Sequence, residues 1–185
     1  MTCPRCLYQE HVCLCAAIPR VDNSTRIVIV RHHLERHRSS NSGRLAHLAL
    51  ANSELVEHGG GQRETVLPAL DGAYLLYPLG EPAHAVPDPK PRQIVVLDAT
   101  WSQARRMYRK LGALRGLPIL HVADDDRAPA DRARLRESPA PGMVSTIEAI
   151  ARALRLCDGD AVAAPLEELY ALAVERARVT GRLAR

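Results

Sequence analysis

The clearest chemical pattern in the chain is a group of four cysteines near its start. They form a Cys-x-x-Cys turn and, after six residues, a Cys-x-Cys segment, at positions Cys3, Cys6, Cys13 and Cys15. Four thiolates so spaced can point at one tetrahedral ion, which is typical of structural Zn²⁺. Two disulfides are the alternative in an oxidising compartment, and an iron–sulfur cluster would require spacings unlike the usual ferredoxin ones. We predict a cysteine-rich zinc knuckle over residues 1–22, followed by one larger domain over residues 23–185.

A strongly basic loop is the second chemical feature. Residues 31–44 read RHHLERHRSSNSGR and contain four arginines, Arg31, Arg36, Arg38 and Arg44. Arginine suits phosphate or carboxylate because its guanidinium group offers bidentate hydrogen bonds. The alternative for any one arginine is a solvated face with no ligand. A further hypothesis is a catalytic metal held by the loop's histidines and Glu35.

The elements that must position these residues alternate between strands and helices. Short apolar runs predict strands at residues 26–30, 73–77, 93–97 and 119–122. Helices are predicted at 45–55, 101–111 and 145–156, and from Pro165 to about 179, with a loop over 124–142. Two of the helices begin with capping boxes, Thr100-x-x-Gln103 and Ser145-x-x-Glu148. The alternation predicts an α/β fold with a mainly parallel sheet flanked by helices.

The composition is that of an ordinary globular protein with a modest positive charge. Of the 185 residues, 46% are hydrophobic and 25% are charged, and the formal net charge is +4. This charge permits binding to a polyanion such as RNA but does not demonstrate it. The sequence shows no signal-peptide pattern and no apolar run long enough to span a bilayer. We therefore expect a cytoplasmic protein without a membrane partner, monomeric or alternatively dimeric.

Four motifs, taken in order, resemble those of the DTW-domain family, which is named for an Asp-x-Thr-Trp signature. They are the cysteine pattern, the loop ending in Asn41-Ser42-Gly43-Arg44, the signature Asp98-Ala99-Thr100-Trp101 and the segment Ser145-Thr146-Ile147-Glu148-Ala149. The ordered set is much more specific than any single motif. Ala99 and Ser42 replace a common glycine and a common threonine, which are small changes.

The resemblance implies a tRNA-uridine aminocarboxypropyltransferase that uses S-adenosylmethionine. The 3-amino-3-carboxypropyl group would pass to uridine N3, and methylthioadenosine would be released. The resemblance also implies kinship with the SPOUT class, with a C-terminal trefoil knot around the cofactor. Residues 23–185 would then form the catalytic α/β domain.

Within this resemblance, Asp98 and Trp101 are the central candidates. Asp98 follows a strand, where ligands gather in parallel sheets, and it could accept the N3 proton, hold the cofactor's ammonium group, or only hydrogen-bond the adjoining loop or helix. Trp101 could stack on a base or face the sulfonium, or simply pack in the core. The catalytic candidates are Asp98, Thr100 and Trp101; the cofactor-binding candidates are Asp98, Trp101, Ser145, Thr146, Glu148 and Arg44; the RNA-binding candidates are Arg31, Arg36, Arg38, Arg105 and Arg106. Thr100 and Glu148 are also explained by capping alone.

Other functions stay open on the sequence alone. An S-adenosylmethionine-dependent RNA methyltransferase would use the same cofactor but a different sulfonium carbon. A zinc-knuckle RNA-binding module would need no catalysis. An rRNA target could replace tRNA, because basic loops select polyanions rather than named RNAs.

Overall fold

A parallel β-sheet forms the centre of the molecule. The computed structural model describes residues 1–61, 64–122, 135 and 144–180. Its strands are β1 (Arg26–His32), β2 (Ser53–His58), β3 (Ala73–Leu76), β4 (Gln93–Asp98) and β5 (Ile119–Leu120). They pair in the order β2-β1-β4-β3-β5, and each of these pairings is parallel. The carboxyl ends of β1, β2 and β4 therefore meet at one edge of the sheet.

Helices cover both faces of this sheet. They are α1 (Ser42–Ala49), α2 (Trp101–Lys110), α3 (Gly112–Arg115), α4 (Thr146–Asp158) and α5 (Asp160–Val179). Ile27 and Ile29 of β1 share a hydrophobic cluster with residues of α1, α4 and α5. Val28 and Val30 instead pack in a cluster with Met107 of α2 and Leu114 of α3. Because side chains alternate along a strand, Arg31 falls on the α1–α4 face and His32 on the α2 face.

The predicted α/β fold with a parallel sheet flanked by helices is confirmed, with two corrections to its elements. The helix predicted over 45–55 ends at Ala49, and residues 53–55 belong to β2. The last helix begins at Asp160 rather than at Pro165, because Gly159, with φ of 98°, separates it from α4. Apart from Leu135, the loop predicted over 124–142 lies outside the described residues. Within the described ranges, no helix is both long enough and apolar enough to cross a membrane.

The cysteine-rich segment packs against α5. Cys6, Tyr8 and Leu14 are buried in the same hydrophobic cluster as α4 and α5. The Tyr8 hydroxyl donates to the carbonyl of Ala173 at 3.4 Å, and Arg176 donates to the carbonyl of Cys13. The cysteine-rich segment is therefore anchored on α5 by packing and by hydrogen bonds.

Candidate functional site

Asp98, the last residue of β4, connects three elements through one carboxylate. Its side chain is buried, with 3% of the residue exposed. One carboxylate oxygen accepts a hydrogen bond from Asn41 Nδ2 at 2.6 Å, and the other accepts from Thr146 Oγ1 at 2.8 Å. Asn41 caps α1 and Thr146 is the first residue of α4. The carboxylate thus lies between the N-terminal ends of two helices, where partial positive charge favours an anion.

Gly43 makes this arrangement possible. A Cβ atom at position 43 would lie 2.5 Å from Asp98 Cγ and 2.6 and 2.7 Å from the two carboxylate oxygens. These distances are far below van der Waals contact, so α1 can approach the carboxylate only with glycine at this position. The Asn-x-Gly spacing of the sequence therefore serves both the cap and the close approach.

The electrostatic surroundings of Asp98 are mixed. Burial raises its pKa, the hydrogen bonds from Asn41 and Thr146 oppose that rise, and the nearby Glu35 carboxylate adds to it. A raised pKa makes the carboxylate a better proton acceptor than an ordinary Asp. At the same time, both oxygens already accept hydrogen bonds from the protein. The contacts present are those expected if Asp98 orders the adjoining loop and helix.

The helix starts around this carboxylate form as the sequence predicts. Asn41 Oδ1 accepts from the backbone N–H of Arg44 at 2.8 Å, while Ser42 Oγ accepts from the N–H of Ile147 at 3.4 Å. Both predicted capping boxes, at α2 and α4, are present. Three of the four sequence motifs thus converge at the carboxyl edge of the sheet.

The arginines of the basic loop are divided between the interior and the surface. Arg31 is 6% exposed and pairs with Glu57 of β2, so its position suits organising the edge rather than contacting a polyanion. Arg36 lies 3.6 Å from Glu57, and Arg38 lies 3.6 Å from Glu35. Both of their side chains are more than half exposed.

Arg44, a predicted cofactor-binding residue, lies in the first turn of α1. Its guanidinium donates to the carbonyl of Arg36, and Arg44 Nε is buried without a hydrogen-bond partner among the described residues. Burial, with the nearby charge of Arg31, lowers the pKa of Arg44. A half-buried guanidinium with an unused donor is a suitable partner for a carboxylate ligand.

Trp101 and the predicted RNA-binding arginines of α2 lie beside this edge. Trp101 opens α2, is half-buried and belongs to neither hydrophobic cluster of the described residues. Arg105 and Arg106 are exposed on the same helix, together with Arg109 and Lys110. The structure therefore places a tryptophan and a row of cations next to the carboxyl ends of β1 and β4.

Several residues of this edge were not predicted as site residues. Asn41 was predicted only as a cap, and Gly43 only as part of a motif. Glu57 and His58 were missed because the end of β2 was not predicted as a strand. Register in a parallel sheet, which places Arg31 opposite both Glu57 and Asp98, would have identified Glu57 once β2 was known.

The four N-terminal cysteines form a compact group in the segment that packs against α5. All are free thiols; Cys3 Sγ lies 3.6 Å from Cys15 Sγ, and Cys6 Sγ lies 3.6 Å from Cys13 Sγ. The four sulfur atoms all lie within 4.8 Å of one another. Sulfurs about 2.3 Å from a tetrahedral Zn²⁺ would stand about 3.8 Å apart, so this donor set fits the ion. Backbone N–H groups of Cys6 and Arg5 lower the pKa of Cys3 to about 6, whereas burial and the neighbouring thiols raise that of Cys15 to about 12, so the fit to the ion rests on the sulfur geometry.

Comparison with known proteins agrees with the motif pattern. Residues 1–178 match the family described as the DTW domain. The chain is 28% identical over 175 residues to "tRNA-uridine aminocarboxypropyltransferase 2" of Drosophila melanogaster, covering 84% of this chain and 66% of that protein. It is 28% identical over 193 residues to "tRNA-uridine aminocarboxypropyltransferase A" of Arabidopsis thaliana, covering 85% of this chain and 73% of that protein. No solved structure matches the chain significantly.

Proposed function

This chain belongs to the DTW-domain family, and on that premise we propose that it transfers the 3-amino-3-carboxypropyl group of S-adenosylmethionine to N3 of a tRNA uridine. The observation that carries the proposal is the convergence of the Asn-Ser-Gly-Arg, Asp-Ala-Thr-Trp and Ser-Thr-Ile-Glu segments through hydrogen bonds to Asp98. The names of the Drosophila and Arabidopsis relatives support a tRNA-uridine transferase. Because these relatives are only 28% identical to the chain, S-adenosylmethionine as the donor and uridine N3 as the modified atom are part of our proposal.

The proposed step is a displacement at the methionine γ-carbon next to the sulfonium. Uridine N3 forms a bond to this carbon, the carbon–sulfur bond breaks, and its electron pair stays on sulfur, which leaves as neutral methylthioadenosine. The N3 proton passes to a base or to water. Because the sulfonium is already a good leaving group, the protein must mainly align the two reactants and bind the donor's amino-acid tail.

The predicted cofactor-binding residues lie where such a tail could be held. The N-terminal turn of α4 and the half-buried Arg44 guanidinium both suit the carboxylate of S-adenosylmethionine. Glu148 is buried and accepts from the Ser145 backbone at 3.0 Å and hydroxyl at 2.7 Å, so its part in the proposal is to fix this helix start. Trp101, half-buried at the start of α2, is proposed to stack on the adenine or the uridine.

We assign Asp98 a positioning role with a possible proton transfer as the competing assignment. Its two hydrogen bonds fix α1 and α4 relative to β4, and hence the groups that these helices present. A pH–rate profile separates the two roles. If Asp98 accepts the proton, Asp98→Asn removes the acidic limb of the profile; if Asp98 positions, the rate falls by a similar factor at every pH.

The remaining parts of the proposal concern RNA, zinc, fold class and location. Arg36, Arg38, Arg105 and Arg106 are proposed to contact tRNA phosphates, because they are exposed at or beside the same edge. The four cysteines are proposed to hold one structural Zn²⁺, which supplies folding energy rather than chemistry. The SPOUT relationship, the C-terminal knot, a cytoplasmic location and a monomeric state complete the proposal.

The deciding experiment is mass spectrometry of tRNA digested after incubation with the protein and S-adenosylmethionine labelled in its methionine backbone. A nucleoside heavier by one labelled aminocarboxypropyl group, with methylthioadenosine released, is the expected result. A methylated nucleoside with S-adenosylhomocysteine would move the protein to the methyltransferases. Binding of tRNA without any product, under conditions where S-adenosylmethionine binds, would argue against the transfer.

The zinc part has its own test, independent of turnover. Elemental analysis of the purified protein is expected to find one zinc per chain, and Cys6→Ser is expected to lose it and lower the melting temperature. Cys157→Ser is the matched control, because Cys157 lies in α4 outside the cluster of four. Equal metal content in both variants would contradict the assignment.

A further inference from the structure

A small cleft opens on the sheet face opposite Asp98. Its volume is about 180 Å³, and it is lined by residues from the end of β1, the end of β2 and one side of α2: His32, Leu34, His58, Gln103, Arg106, Met107 and Lys110. His32 and His58 are paired neighbours in the sheet register, and their ring centres lie 6.3 Å apart. The cleft is large enough for a phosphate group with a few water molecules.

The lining of this cleft is cationic. Arg106 and Lys110, one turn apart on α2, face the two histidines and form no ion pair with any described residue. No carboxylate is among the lining residues given above. On the His58 side, Glu64 and His58 both line a larger neighbouring cavity of about 660 Å³. Four basic side chains around one small space favour an anionic ligand.

The hydrogen bonds of the two rings assign them different roles. The backbone N–H of Leu34 donates to His32 Nδ1 at 3.3 Å, so the neutral ring carries its proton on Nε2. His58 Nδ1 lies 2.7 Å from the Thr65 hydroxyl, which can accept as well as donate. Protonation of His58 therefore keeps its hydrogen bond, whereas protonation of His32 at Nδ1 would break one.

The surroundings of the two rings lower the pKa of both histidines. Burial, followed by the charges of Lys110 and His33, lowers the pKa of His58. Burial, followed by His33 and His58, also lowers the pKa of His32, with Glu35 opposing and Arg106 adding to the effect. Both rings are therefore neutral at neutral pH without a ligand. An anion bound between the two rings and the two α2 cations would raise the pKa of His58 and favour its protonated form.

We propose that this cleft is a subsite for one backbone phosphate of the bound RNA, and that His58 takes up a proton when the phosphate enters. His32 donates from Nε2 as a neutral ring, and Arg106 and Lys110 supply fixed positive charge. The assignment of the phosphate to RNA rests on the proposed function. His32 directly follows Arg31, which pairs in register with Asp98, so the cleft opens at the same carboxyl edge as the proposed active site, on the opposite face of the sheet.

The first test measures binding without S-adenosylmethionine, so that it does not depend on turnover. Affinity for tRNA is followed across the neutral pH range for the wild type, His58→Gln and the control His84→Gln, whose histidine is exposed and outside the cleft. Wild type and His84→Gln are expected to bind more tightly as pH falls, with uptake of one proton. His58→Gln is expected to lose this pH dependence and to bind roughly tenfold more weakly at the acidic end, as for loss of one phosphate contact. An unchanged pH slope in His58→Gln would overturn the proposal.

The second test uses the unmodified protein and inorganic phosphate. Nuclear magnetic resonance of the imidazole nitrogens is expected to show that phosphate raises the pKa of His58 by about one unit, the size expected for a nearby opposite charge, and leaves His84 unchanged. No shift of His58 would overturn the site itself. A shift with phosphate but equal tRNA affinity in wild type and His58→Gln would overturn the RNA assignment and leave a site for a small phosphorylated ligand. If tRNA binds as expected while no nucleoside is modified, the proposed transfer fails and the subsite stands.

Discussion

Helix α4 is held at both ends by an aspartate, and the two aspartates differ in how completely they are satisfied. At its first residue, Thr146 donates to Asp98, which also accepts from Asn41. At its last residue, Asp158 accepts from the backbone and hydroxyl groups of Ser24 and Thr25 at distances between 2.7 and 2.9 Å. Lys90 adds an ion pair to Asp158 at 3.1 Å.

The two sites differ in depth as well as in their donors, and the pKa values of the two carboxyls move in opposite directions. Asp98 lies in the interior with 3% of the residue exposed, whereas Asp158 is half-buried near the surface, although its partners leave only 3% of its side chain exposed. Burial raises the pKa of Asp98 and outweighs its two hydrogen bonds. Burial also raises that of Asp158, but the bonds from Thr25, Ser24 and Lys90 together lower it to about 2. The deeper burial and fewer donors of Asp98, and the shallower position and more numerous donors of Asp158, together account for the two directions.

The comparison indicates that the two ends of α4 serve different roles, one in stability and one in function. The Asp158 end, before β1, serves stability, because the ionised carboxylate is fully matched by donors. The Asp98 end, at the carboxyl edge of the sheet, holds a buried carboxyl whose pKa is raised, which is typical of functional sites. Substitutions at the two ends should therefore separate activity from stability.

The largest expected effect is on activity at the Asp98 end. Asp98→Asn is expected to lower the rate of the proposed transfer on the order of 100-fold, because displaced helix starts would misplace the reactants. Its free energy of unfolding should change by less than about 1 kcal/mol, since removing a charge of raised pKa relieves part of its burial cost. Single-turnover rates and denaturant unfolding measure the two quantities. Full activity in this variant would remove Asp98 from the mechanism.

The matching change at the other end should act on stability alone. Asp158→Ala is expected to lower the free energy of unfolding by about 2 kcal/mol, because the exposed donors of Ser24 and the buried ones of Thr25 lose a charged acceptor. The transfer rate of the folded fraction should stay at the wild-type level. Denaturant unfolding and rate measurements at a temperature where the variant is folded test this. A rate loss as large as that of Asp98→Asn would end the proposed division between the two ends.

The difference between the two ends also shows what the sequence could and could not predict. The start of α4 was predictable because the Ser145–Glu148 capping box is a local pattern with a physical mechanism. Asp158 was not, because its partners Ser24 and Thr25 are more than 130 positions away in sequence. Nothing in the local sequence around Asp158 indicates which loop it will meet.

The same distinction explains the errors in the fold. Residues 53–55 of β2 were predicted as the end of a helix, because the sequence over 45–55 is rich in helix formers. The pairing of β2 with β1, a tertiary contact, overrides that preference. Asp98 was predicted as a site residue from its motif and from its place after a strand, whereas its contact with Gly43 depends on the packing of α1 and could only be measured.

Space around the Asp98 carboxylate provides the third prediction. Gly43→Ala is expected to lower the free energy of unfolding by about 2 kcal/mol, because its Cβ would stand 2.5 Å from Asp98 Cγ. The transfer rate should fall as well, since the clash must move α1 or Asp98. Gly112→Ala is the control, with its nearest contact at 3.6 Å to an Arg115 side-chain nitrogen, and should be close to neutral. Equal free energies of unfolding for the two variants would show that α1 can move away from Asp98 without loss of stability.

Acid titration of stability tests the lowered pKa of Asp158. A carboxyl with a folded pKa of about 2, against an ordinary 3.8, stabilises the fold above the ordinary value and loses this contribution as pH falls toward the folded one. The contribution is about 2 kcal/mol. The difference in unfolding free energy between wild type and Asp158→Ala should therefore shrink by this amount between pH 3.8 and about 2. A constant difference over that range would mean that Asp158 has an ordinary pKa.

The smallest expected effect comes from the ion pair at the Asp158 end. Lys90 is 47% exposed, so its bond to Asp158 is screened by solvent, and Lys90→Gln is expected to cost about 0.5 kcal/mol. High salt should abolish this difference, and Arg20→Gln, at an 83% exposed pair with Asp22, should show none. Denaturant unfolding at low and high salt measures all three proteins. If Lys90→Gln cost as much as Asp158→Ala, the ion pair rather than the Ser24 and Thr25 donors would account for the low pKa, and the contrast with Asp98 would rest on one lysine.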